Sequence, residues 1–173
     1  MKTYLAAAAM AACAASSAVA QDFNFTVTNN LPEGVIAPII VLDAVKASPV
    51  LFNDDGTMTD AYITTILEGD PRPMNGTMPD AVAGPVLGTS GPPGVLIAAG
   101  ETASADMFIF ANVLRFYAKG DYTEGDTVIQ GVYDISAGPG TVLLNRYDIG
   151  HNEGTMEMTL IDEGVVEIVI TAN

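Results

Sequence analysis

Phe23, Phe25 and Val27 alternate with Asn24, Thr26 and Thr28, the period of two that a half-buried strand requires. Residues 29–34 (Asn-Asn-Leu-Pro-Glu-Gly) supply turn chemistry after it. Residues 35–45 form an almost unbroken apolar run with Pro38 inside it. That pattern predicts a strand buried on both faces, with the proline at an edge, a start or a bulge. The longest apolar segment, residues 107–117, opens into the polar stretch 119–126. Two further runs, 127–133 and 141–147, are divided by Ala137-Gly138-Pro139-Gly140. Near the end Met156, Met158 and Leu160 alternate with Glu157 and Thr159. The turn Asp162-Glu163-Gly164 then predicts a hairpin with residues 165–170 as the returning strand.

Only one segment reads as helical. Thr59 or Asp60 can cap it, Tyr62, Ile63, Ile66 and Leu67 form a stripe at helical spacing, and Gly69 followed by Pro71 ends it. Residues 71–94 are dense in Pro and Gly and read as a long connection wrapped on the surface or left as an arm. No repeat of fixed period and no linker between two domains is visible. Many short strands separated by Gly, Pro and Asp turns predict an all-β antiparallel sandwich or barrel with one short helix.

The first twenty residues stand apart. Lys2 precedes the apolar stretch 5–15, and Ala18-Val19-Ala20 forms an A-x-A site before Gln21. This is the pattern of a secretory signal peptide, too short to span a bilayer. The expected organisation is therefore a leader over 1–20 and one domain over 21–173, exported to the periplasm or beyond the cell. Cys13 leaves lipid attachment as a lesser alternative. It is the only cysteine of the chain, so the domain after the leader must hold together without disulfides. With 21 Asp and Glu against 6 Lys and Arg, the formal charge is −15. A nucleic-acid partner is excluded on that balance, because phosphate binding needs clustered cations. Cations, by contrast, are favoured.

Few reaction chemistries are supplied. His151 is the only histidine, no serine sits in a Gly-x-Ser-x-Gly elbow, and no phosphate-binding glycine loop occurs. Zinc sites draw on Cys and several His, which are missing. His151 with Met156 and Met158 suits copper only weakly, since two methionines at i and i+2 on a strand fill one side of a core. Paired carboxylates could in principle hydrolyse a polysaccharide. The more informative signal lies in the carboxylate-rich turns 53–56, 121–126 and 148–153. Calcium takes six to eight oxygens from such irregular loops, and two of them at one end of a sandwich could aim at one point.

At these loops the chain resembles the spondin N-terminal domain, a family found in animal matrix proteins and in exported bacterial proteins. Residues 25–29 with Pro38-Ile39-Ile40-Val41 resemble the opening strand pair, Ala47-Ser48-Pro49-Val50-Leu51-Phe52 a Ser-Pro motif, and Ile66-Leu67-Glu68-Gly69-Asp70 the end of the short helix. Ala98-Ala99-Gly100-Glu101-Thr102 is similar to a Pro-Gly-Glu-Ser turn. Residues 113–122, which end in Lys119-Gly120-Asp121-Tyr122, resemble a strand running into a Pro-Ser-x-Asp-aromatic loop. Arg146-Tyr147-Asp148-Ile149-Gly150-His151-Asn152-Glu153 resembles Tyr-Asp-Ala-Gly-Thr-acid. The resemblance implies a C2-like β-sandwich with a Ca2+ site at one end, held by Asp121 and Asp148 with Glu153 as a third ligand. It also implies a recognition or adhesion role toward a cell-surface or extracellular polymer or protein. This chain departs from the pattern at His151, at the extra Asn152 and at Lys119-Gly120 in place of Pro-Ser. An acidic structural protein of the envelope, or a carboxylate hydrolase, are the alternative expectations.

Overall fold

The structure is a computed structural model that describes residues 21–70, 72–120 and 125–173. The expected leader over residues 1–20 and the expected ligand Asp121 lie outside those residues. Eight strands form one antiparallel sheet: β1 (Gln21–Asn29), β3 (Ile39–Asp43), β4 (Val82–Val86), β6 (Thr102–Ile109), β7 (Val113–Lys119), β8 (Thr127–Asp134), β9 (Gly140–Asp148) and β10 (Thr159–Ala172). Their order is β4-β3-β7-β8-β9-β10-β1-β6. A two-stranded ribbon, β2 (Val35–Ile36) with β5 (Ile97–Ala98), stands beside it.

The sheet curls until its two outer strands lie side by side. A Cβ built on Gly84 of β4 would sit 3.4 Å from Met107 Sδ of β6. All eight strands contribute side chains to the enclosed core, among them Phe25, Val41, Val86, Met107, Phe116 and Ile168. On β1 this follows from the alternation, because Phe23, Phe25 and Val27 are all buried while their neighbours are not. The fold is thus all-β and sandwich-like, as the turn-punctuated pattern predicts.

A second core covers the outer face of β3, β7 and β8. Ile40, Leu42, Tyr117 and Val128 meet Ala47, Leu51, Tyr62, Ile66 and Met74 there. Those residues belong to three helices, α1 (Ala44–Leu51), α2 (Asp60–Glu68) and α3 (Arg72–Thr77). Tyr62 stacks edge-on against both Phe52 and Tyr117, with ring centroids 5.7 and 5.6 Å apart. Because this layer buries their outward residues, β3 and β7 read as continuous apolar runs instead of alternating ones.

Five expectations are corrected. The single helix is three. Only α2 carries the full set of signals, with Thr59 accepting from Tyr62 N and Gly69 closing the helix at φ 68. The run 35–45 is divided by Pro38 into β2 and β3 and ends in α1, which Asp43 caps by accepting from the N–H groups of Val45 and Lys46. The connection 71–94 holds α3 and β4, anchored through buried Met74, Met78 and Ala81. Finally, the hairpin at 162–164 does not form. β10 runs on beside β9, and the pairing slips between Leu160 and Val166. Gly164, at φ 65, supplies a bulge in place of a reversal. Met156 and Met158 precede β10, so they do not share a strand face.

Candidate metal centre

The open rim at the start of β8 and the end of β9 collects the acids. Thr127 and Asp148 are cross-strand partners, so the residue before one and the residues after the other meet at the same edge. Asp126 leads into β8, and Asp148 closes β9. The turn that follows has Gly150 at φ 67 and Gly154 at φ 70, conformations that side-chain-bearing residues rarely adopt. It folds back through bonds from Gly154 N to His151 O (3.1 Å) and from Thr155 N to Gly150 O (2.9 Å). That reversal brings in Glu153. One carboxylate oxygen from each of Asp126, Asp148 and Glu153 lies within 4.8 Å of the other two.

The three acids differ in environment. Asp126 is buried, Asp148 half-buried and Glu153 exposed. Asp126 Oδ2 accepts from Asn152 N at 3.0 Å, and its carbonyl accepts from Ile149 N at 3.1 Å. Asp148 Oδ1 accepts from Gly150 N at 2.6 Å. Asp126 and Asp148 are therefore both held by backbone N–H groups of the turn after β9. Calcium binds oxygen at 2.3–2.6 Å, so two ligands of one ion stand up to roughly 5 Å apart. The 4.8 Å limit fits inside that sphere.

Lys119, the last residue of β7, is buried behind Asp126. Its ammonium donates to Ile66 O (2.8 Å), Leu67 O (2.8 Å) and Gly125 O (2.6 Å). Burial lowers its pKa, and the charge of Asp126 opposes that shift. The two carbonyls from the end of α2 carry the negative pole of the helix, a natural seat for a cation. Lys119 thus ties helix, strand and rim together. It also offsets part of the rim's negative charge.

Of the expected ligands, Asp148 and Glu153 converge, and Asp121 lies outside the described residues. The member the sequence reading passed over is Asp126, although the acidic stretch 121–126 contains it. The available signal was its position, immediately before a strand whose partner ends in Asp148. The third acidic turn, 53–56, is an ordinary connection between α1 and α2. Asp55 accepts from both the N–H and the hydroxyl of Thr57, bonds that hold its pKa below the usual value. Comparison with protein-family models, curated proteins and solved structures finds no match to this chain.

Proposed function

We propose that this protein is an exported calcium-binding recognition module whose rim, once ordered by the ion, binds a cell-surface or extracellular polymer or protein. One observation carries the reading: three carboxylates from two chain segments share a space of calcium size. Without a cation, like charges at that spacing repel. A divalent ion removes the repulsion and fixes the turn 150–154 against the start of β8. The recognition role rests on the resemblance to spondin N-terminal domains, and export on the leader-like first twenty residues.

The hydrolase reading has less to rest on. A cavity of about 830 Å3 is lined by Asp43 and Asp80 and by none of the rim acids. Asp43 is already engaged in capping α1. An acidic envelope protein without metal differs from the proposal in a measurable way. Calorimetric titration with calcium should give one saturable event per chain, weakened at least about tenfold in Asp126→Asn, since that exchange removes a buried anionic ligand. A flat titration of the unaltered protein supports the metal-free reading instead.

A further inference from the structure

The helical layer stops short of one end of the sheet. It covers Tyr117 and Val128 on the outer face, while one row farther along the same strands Val132 is exposed and Arg115 only half-buried. Arg115 on β7 lies opposite Val132 on β8, and Leu143 on β9 lies opposite Glu167 on β10. Strands β8 and β9 are neighbours. A Cβ on Gly131 would sit 3.7 Å from Leu144 Cα, which places Val132 beside Leu143. Leu114, Phe116, Leu144, Val166 and Ile168 point into the enclosed core, so the intervening residues point outward. The outer face therefore carries a row that reads cation, apolar, apolar, anion. Val132 is 48% exposed and Leu143 57% exposed.

Neither end of the row has an ion pair among the described residues. Lys46, Arg72 and Arg146 each have a carboxylate within 4.0 Å, and Lys119 is held by carbonyls. Arg115 alone among the described cations has neither ion pair nor hydrogen bond. Its guanidinium lies 4.8 Å from the centre of the Phe52 ring, and its Nε is buried without an acceptor. Asp134, two residues beyond Val132 on β8, accepts from the N–H and hydroxyl of Ser136. Glu167 is half-buried, and its carboxylate makes no hydrogen bond or ion pair with a described residue.

We infer that this face is a docking surface for a second copy of the chain, related by a two-fold axis that runs parallel to the strands between β8 and β9. Such an axis carries β7 over β10 of the other copy and β8 over β9. Arg115 then meets the partner's Glu167, and Val132 meets the partner's Leu143, twice each. A self-complementary patch of this kind is what a two-fold interface requires. Charge complementarity chooses the occupant: Arg115 and Glu167 stand three strand spacings apart, roughly 14 Å, too far to pair within one chain. The inference does not depend on the metal centre, which lies at the rim.

The test is sedimentation velocity on the purified protein over a range reaching about 1 mM, the weak end of measurable affinities. The unaltered protein should associate to dimers. Arg115→Glu and Glu167→Arg should each weaken dimerisation at least about tenfold, and the double exchange R115E/E167R should restore it, because the swapped charges still face each other. If Arg115→Glu does not fold, Leu143→Asp, at an exposed position, should abolish the dimer by itself. A protein that stays monomeric throughout overturns the inference. So does a dimer indifferent to Glu167→Arg and Leu143→Asp, or one whose charge swap, when folded, fails to restore association.

Discussion

Glu101 shows how much one carboxylate can organise. One of its oxygens accepts from the N–H and hydroxyl of Thr89, and the other from Ser90 Oγ and Ala98 N. Those four bonds fasten the segment after β4 to the turn between β5 and β6. The bond from Ala98 N leads the causes that bring the Glu101 pKa down from 4.5 to about 2. A folded-state pKa below the unfolded one means stability that is present above pH 4.5 and is lost as pH falls toward 2. Melting temperatures of Glu101→Gln should therefore be lower than those of the unaltered protein above pH 4.5, with the gap closing toward pH 2; a constant gap would contradict the assignment. The sequence showed Glu101 only as part of a turn motif. Its four donors come from residues 3 to 12 positions away, a fold-back that no local pattern displays.

Elements were legible where their signals were local and complete. β1 announced itself by alternation, and α2 by its cap, stripe and terminal glycine. Thr59 also donates its hydroxyl to Val50 O at 2.7 Å, which joins α2 to α1. Thr59→Ala should cost about 1 kcal/mol in a urea-unfolding measurement, the usual value of a lost cap, without altering the fold. α1 escaped because Pro49 sits inside it, and an interior proline reads as a break. The bulge in β10 escaped for another reason. Asp-Glu-Gly suits a turn, but β9 offers partners on both sides of it, and tertiary context outweighs local preference.

At the scale of the molecule, the all-β class was readable from turn spacing, whereas the curl that joins β4 to β6 was not. Closure brings Gly84 of β4 against Met107 of β6, the two ends of the eight-stranded order, and that meeting is set by the register of every strand between them and by no local pattern. The rim site was half legible for the same reason. Acidic turns are visible as composition, but whether they meet is decided by strand register: Thr127 pairs with Asp148, and that pairing selects Asp126. If this convergence holds a divalent ion, as proposed, the ion must stabilise the folded chain. An ion bound only by the folded state adds about 2.7 kcal/mol at a hundredfold excess over its Kd, which is roughly 5–10 °C for a domain of this size. The decisive measurement is the melting temperature in excess calcium against excess chelator, for the unaltered protein and for the pair Asp126→Asn and Asp148→Asn combined. The account predicts a rise of that order in the first and none in the second. Identical curves for the unaltered protein in calcium and in chelator would contradict it.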